Sequence, residues 1–302
     1  MTTADAFDLA EEAPAKINLA LHITGRRPDG YHLIDTLVTF TETGDRLFFA
    51  AADEDRFTVS GRFGGRVPSG PAAQADNLVV RALDLMHRLA AAEGRTAEPV
   101  HIHLEKNLPP ASGIGGGSAD AAATLRGLNR LWRLGLPPER LEQAALALGA
   151  DCPMCVASRP LLARGIGEEL IPLPHLPPLN MVLVNPLSPV ATPAVFAALT
   201  NRENPPLPAI PTAAEPEKWP LLIAAGRNDL EVPALALLPE IGAVLQALEK
   251  TGTKLTRMSG SGASCFGLYD DENAATDAAG RLTHAFPDWF VMAASTVSGE
   301  KP

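Results

Sequence analysis

From Ala15 to Ile23 apolar and polar side chains alternate, with Ile17, Leu19 and Leu21 on one side and Lys16, Asn18, Ala20 and His22 on the other. That is the two-residue period of a β-strand, whose polar side suits either a solvated sheet face or a site. Gly25 to His32 (GRRPDGYH) carries a Pro-Asp-Gly core that predicts a turn, and Leu33 to Phe40 and Arg46 to Ala51 read as two further strands. Asp53 to Ala75, rich in Gly, Pro and small residues, reads as an irregular hairpin or loop. The period then becomes helical. Over Asn77 to Ala92 the residues Leu78, Ala82, Leu85, Met86 and Leu89 share one face, with Asp76 in the N-cap position. Val100 to Leu104 is predicted as a strand with His101 and His103 on one face, which without a third ligand nearby makes a weak case for a metal.

Lys106 to Leu131 (KNLPPASGIGGGSADAAATLRGLNRL) joins a glycine-rich turn to a strong helical pattern beginning at Ser118. Gly113, Gly115, Gly116 and Gly117 let a ligand approach the main chain, and the free N–H groups of the helix start favour an anion such as phosphate. The run is not a P-loop, because Gly117 is followed by Ser118 and Ala119 instead of Lys-Ser/Thr. Nor is it a dinucleotide fingerprint, whose third glycine would fall on Ser118 or Asp120. A tight loop that merely closes a helix onto a strand stays open as the alternative.

Pro137 to Leu148 reads as a helix ended by Gly149, followed by GADCPMC. Cys152 and Cys155 have CxxC spacing, but no second CxxC and no thioredoxin-like pattern accompany them, so small packing residues are expected. The proline-dense Ile171 to Pro178 suggests a boundary between domains 1–173 and 174–302. Beyond it come a strand at Leu179 to Val184, a helix near Pro193 to Leu199 and a Pro-rich loop, Asn201 to Pro216, expected to move. Helices at Pro220 to Ala225, Pro239 to Thr251 and Asn273 to Ala285 are interleaved with strands at Lys254 to Met258, Cys265 to Tyr269 and Trp289 to Ala293, with the turn SGSGAS after Met258. That order predicts an open sheet backed by helices.

A chain of 302 residues with 46% hydrophobic content suits two domains. The net charge of −10 argues against a broad face for nucleic acid, so none is expected as a partner. The opening MTTADAFDLAEEA resembles neither a secretory signal nor a transit peptide, and no window approaches a membrane span. Three cysteines suit a reducing compartment, and a cytoplasmic protein is expected.

Four segments, PAKINLALHITGRRPDGYH, LPPASGIGGGSADAA, GADCPM and RMSGSGASCFG, together resemble the GHMP kinase superfamily over nearly the whole chain. PAKINL, the DGYH turn and GAD followed by CP are similar to the branch that phosphorylates 4-diphosphocytidyl-2-C-methyl-D-erythritol in the non-mevalonate isoprenoid pathway. The resemblance implies a two-domain α+β fold of GHMP kinase type, with the ligand cleft between the domains. It implies ATP as co-substrate, Mg2+ carried by the phosphates and water with no protein metal ligand, and a monomer or weak homodimer.

The resemblance also assigns residues. Asp151 would be the catalytic base and Lys16 its paired cation, although beside Cys152 and Pro153 an aspartate reads equally as a helix cap. Pro109, Pro110, Ala111, Ser112, Gly113, Ile114, Gly115, Gly116, Gly117, Ser118 and Ala119 would form the ATP-phosphate loop, and Asn77 would lie near the adenine. Tyr31 and His32 would recognise the cytidine, with Asn18, Thr192 and Phe196 as further substrate contacts. Ala111 and Ser112 depart from the glycines usual in that loop, and Cys152 and Met154 replace other apolar residues. The alternatives are another kinase of the superfamily, of homoserine or mevalonate type, or an inactive relative that binds a metabolite.

Overall fold

The computed structural model describes residues 7–68, 76–211 and 214–300. Its contacts gather into two compact units that interleave along the chain. The first takes Met1–Ala15, Thr43–Pro110 and Gly115–Ala157, and the second Lys16–Glu42, Ala111–Ile114 and Ser158–Pro302. Residues 1–173 therefore contribute to both.

Two long paired strands, β1 (Leu9–Arg26) and β2 (His32–Ala51), give one part of their length to each unit. In the first unit the end of β2 pairs antiparallel with β4 (Val100–Glu105), from Arg46 opposite Glu105 to Ala51 opposite Val100. A short strand β3 (Arg56–Ser60) lies parallel to β4 on its other side. The α-helices of this unit among the described residues are α1 (Leu78–Ala92), α2 (Gly116–Leu131), α3 (Pro138–Ala145) and α4 (Cys152–Ala157). Small residues let α2 sit close to its neighbours, since Ala121, Ala122 and Ala123 are fully buried.

In the second unit the first part of β2 pairs antiparallel with β5 (Leu161–Gly165), which pairs in turn with β6 (Glu169–Pro172). A separate antiparallel sheet in the order β10-β7-β9-β8 is built from β7 (Asn180–Asn185), β8 (Leu255–Met258), β9 (Cys265–Tyr269) and β10 (Phe290–Ser295). The helices of this unit are α5 (Thr192–Ala198), α6 (Trp219–Ala225), α7 (Glu231–Leu237), α8 (Glu240–Glu249) and α9 (Glu272–Ala285). Val182, Val184, Ile241, Val244, Leu248 and Leu282 belong to its apolar core.

Several local expectations change. The strands read at 33–40 and 46–51 are one strand, because Gly44 lets the chain continue where Ala13 and Pro14 crowd it too closely for a Cβ. The acidic stretch Leu9–Pro14 is already strand, held by ion pairs from Glu11 to Arg126 and Arg130 and from Glu12 to Arg46. Asn77, not Asp76, caps α1, its Oδ1 accepting the Val79 N–H at 2.9 Å. Within the stretch read as a loop at 53–75, β3 forms by pairing with β4, and residues 69–75 lie outside the described residues. The helix read at 137–148 ends at Ala145, GADCPMC runs into α4, and α7 was not foreseen. The Pro-rich connection is tied down: Pro205 O accepts His22 Nδ1 at 3.0 Å and Arg227 Nη2 at 2.8 Å, and Asp35 accepts Leu207 N at 3.0 Å. Pro205 O can only accept, so the proton of neutral His22 sits on Nδ1, while Nε2 accepts Arg227 N at 3.0 Å.

Gly127 of α2 lies against Phe49, and a Cβ added there would fall inside the ring's van der Waals envelope. Alanine would gain about 1 kcal/mol of helix propensity, whereas overpacking costs about 1–3 kcal/mol. Gly127→Ala is therefore expected to lower the urea unfolding midpoint, and a midpoint equal to or above the parent's would show that the Phe49 ring yields.

Candidate active site

In the first unit, β4 leads into Lys106–Pro110 and the chain re-enters at Gly115, whose φ of +66° is the left-handed conformation that starts α2 without a side-chain cap. The first helical donor at this end is Ala119 N, which donates to Gly115 O at 2.8 Å. The amides of Gly116, Gly117 and Ser118 thus occupy the orphan positions of a helix start, where the dipole favours an anion. The buried ammonium of Lys106 lies beneath this turn, 3.2 Å from where a Gly116 Cβ would stand. It donates to Asp45 Oδ2 at 2.6 Å and to Asp120 Oδ2 at 2.5 Å. Pro109 is buried, Gly117 exposed, and Ser118 half-buried.

Asp151 stands immediately before α4, half-buried, with its carbonyl accepting Cys155 N–H at 3.2 Å. Cys152 and Cys155 are buried thiols, as their reading as packing residues expects. Asn77 is buried and holds the start of α1. His101 and His103 share a hydrogen-bond network with Thr58 and Ser60, Thr58 Oγ1 lying 2.7 Å from His101 Nε2. Among the described residues no group of three His, Cys, Asp or Glu side chains could hold a metal ion.

In the second unit Lys16 is 4% exposed on β1, and its N–H donates to Ile114 O at 2.9 Å, so the loop segment 111–114 hangs beside it. The SGSGAS turn holds the same segment. Ser259 Oγ donates to Gly113 O at 3.1 Å, and Ser264 N donates to Ser112 O at 3.0 Å. Only glycine fits at 113, because a Cβ would meet the carbonyl oxygens of Ser259 and Gly262 at 2.6 Å. Ala111, which departs from a glycine-rich pattern, takes a glycine-like φ of +52°.

Ser259 Oγ also accepts Asn18 N at 3.1 Å, while Asn18 Nδ2 donates to Thr36 Oγ1 at 2.8 Å. Asn18 is thereby fixed with a buried Oδ1 that has no partner. His32 stacks on Phe196 with ring centroids 4.8 Å apart and 28° between planes, and its Nε2 is likewise buried and unsatisfied. Burial, then the charges of Arg26 and Arg202, lower the His32 pKa and keep the imidazole neutral at pH 7. Tyr31 is 56% exposed beside it, and Thr192 Oγ1 meets Ser261 Oγ at 2.7 Å.

Of the residues assigned from sequence, the second unit brings His32 and Phe196 together and places Asn18 and Thr192 on the same serine-rich turn. The first unit collects the helix start at 115–119. Sequence reasoning missed the Lys106, Asp45 and Asp120 cluster, although an aspartate in an alanine-rich helix was a signal. It also missed Ser259 and Thr36, whose partners lie far away in sequence and leave no local mark.

Comparison with known proteins places this geometry in a class. The family models for the GHMP kinases N terminal domain and the GHMP kinases C terminal match residues 77–159 and 218–288. The chain belongs to the GHMP kinases. It is 58% identical, over 98% of its length and 96% of the relative's, to 4-diphosphocytidyl-2-C-methyl-D-erythritol kinase of Rhizobium johnstonii. It is 53% identical to the enzyme of the same name from Agrobacterium fabrum over 97% of both chains. A crystal structure of 4-(cytidine 5'-diphospho)-2C-methyl-D-erythritol kinase matches with a TM-score of 0.77 at 34% identity, covering 95% of this chain and 99% of that one. Homoserine kinase from Cytophaga hutchinsonii shares the fold, with a TM-score of 0.68 at 19% identity, covering 96% of this chain and 95% of that one.

The cap at Asn77 makes a direct prediction. Asn77→Ala is expected to cost about 1 kcal/mol of stability and Asn77→Asp nearly none, as read by denaturant unfolding. Equal losses would show that the cap is not what holds this residue.

Proposed function

We infer that the chain transfers the γ-phosphate of ATP to the 2-hydroxyl of 4-diphosphocytidyl-2-C-methyl-D-erythritol, a step of non-mevalonate isoprenoid synthesis. The observation that carries this reading is the near-full-length identity of 53–58% to relatives bearing that enzyme name. The His32 and Phe196 stack supports it chemically, since an aromatic surface beside an unsatisfied imidazole nitrogen suits the face and polar edge of a nucleobase. Tyr31 supplies a further exposed ring next to it, and Asn18 Oδ1 offers an acceptor to a substrate hydroxyl. Thr192 borders the same turn.

ATP lies with its phosphates along Pro109 to Ala119, where the start of α2 supplies amides and Ser118 a hydroxyl. Asn77 stands near the adenine through the turn it caps. Mg2+ is carried by the phosphates and water. Asp151 accepts the proton of the attacking hydroxyl, and Lys16 stabilises charge on the transferring group. The transfer is direct and in-line, without a phosphoenzyme. The phosphates are handled by 1–173, with 174–302 completing the enzyme. No helix among the described residues is long and apolar enough to cross a membrane, and we place the enzyme in the cytoplasm as a monomer or weak homodimer.

A substrate panel with labelled ATP tests the specificity: the cytidine-linked alcohol should turn over and homoserine and mevalonate should not. Turnover confined to an alcohol without cytidine would overturn it. Asp151→Asn is expected to lower kcat by about two orders of magnitude or more while ATP and acceptor still bind. An unimpaired kcat would remove Asp151 from the mechanism.

A further inference from the structure

Lys106, Asp45 and Asp120 form a charge cluster with side chains 3%, 0% and 5% exposed. Its wiring reaches both ends of the glycine-rich turn that the first unit contains. Asp45 Oδ1 accepts Asn107 N at 2.5 Å and Leu108 N at 2.7 Å, pinning the chain as it leaves β4. Lys106 Nζ, already on Asp45, reaches Asp120 on the second turn of α2 and lies directly under Gly116. One ammonium thus sets the spacing between the strand exit and the helix start.

The charges of this cluster do not balance. Two ionised carboxylates on one ammonium leave a net charge of −1, buried beneath the helix end offered to an anion. Asp120 Oδ1 is buried and has no hydrogen-bond partner. An ionised oxygen in that state is costly, and protonation of Asp120 relieves the cost. Burial is the main cause that raises the Asp120 pKa to about 7; Lys106 opposes the rise and Asp45 adds to it. Among the described residues these are the charged groups that act on Asp120, and none comes from α1, α3 or α4.

We propose that Lys106 and Asp120 are positioning residues for the ATP polyphosphate, and that filling the anion site at the start of α2 draws a proton onto Asp120. The proposal rests on the ATP reading of that helix start. An arriving polyanion meets a buried net negative charge, and protonation makes the cluster neutral while leaving the Lys106 contacts in place. The sign follows from linkage. The bound state holds the proton more tightly than the free state, so ATP affinity is highest below the free-state pKa. It falls as pH rises through that value and levels off above the bound-state pKa.

Asp120→Asn is the direct test, because an amide keeps the shape of the carboxyl and its neutral charge at every pH. KM for ATP is measured from about pH 6 to about pH 8.5, together with KM for the acceptor. The parent's KM for ATP should rise several-fold across this range beyond the rise seen in the variant, with acceptor KM unmoved. The ionisation of ATP's own phosphates is common to both proteins and cancels in the comparison. Lys106→Met should raise KM for ATP about ten-fold or more with a smaller effect on acceptor KM. Calorimetry with a non-hydrolysable ATP analogue, in buffers of different ionisation enthalpy, should show more proton uptake by the parent than by Asp120→Asn. Asp45→Asn provides a second variant if the first does not fold. Equal proton uptake and parallel pH profiles in parent and variant would overturn the proposal. Failure of the parent to bind the ATP analogue at all would instead overturn the kinase reading beneath it.

Discussion

A helix start whose backbone amides make no intrahelical bond cannot use those amides to hold itself in shape. That constraint organises the structure around residues 106–119. Glycine supplies the conformations at 113 and 115, but glycine also carries the largest entropic cost of being held still. The restraint therefore comes from neighbours. In the first unit it is the ammonium of Lys106, which ties the exit of β4 to the start of α2 through two buried carboxylates. In the second it is the serine-rich turn at 259–264, which bonds the carbonyls of Ser112 and Gly113. In both places the carbonyls and side chains do the holding, and the amides of the helix start remain on offer.

The same economy governs Asn18 and His32. Asn18 spends its amide nitrogen on Thr36 and its backbone N–H on Ser259, which orients Oδ1 and leaves it unsatisfied. His32 is fixed by stacking on Phe196 and kept neutral by burial and two nearby arginines, again with one ring nitrogen unsatisfied. Buried polar atoms without partners are rare in folded proteins.

Where sequence reading missed, the cause was a partner distant in the chain. Nothing local in TETGD separates a strand that continues from one that stops; Ala13 and Pro14 lying beside Gly44 decide it. Asp76 and Asn77 are both good caps, and the path of the chain chose the second. The acidic stretch before Pro14 lay outside the strand read from Ala15, and Arg46, Arg126 and Arg130 gather around it.

From the amino-acid order alone came the mixed α/β composition, most elements with strong periodicity, the phosphate-suited glycine turn and the membership of the GHMP kinases. Each of these depends on residues near one another or on a motif carried within one segment. Tertiary structure decided how β1 and β2 divide their length between two compact units, which serine holds the loop, and that Lys106, Asp45 and Asp120 share one buried cluster. Those features depend on contacts across as many as 241 residues, as between Asn18 and Ser259, and no local pattern of hydrophobic and polar positions encodes which distant side chain will close them.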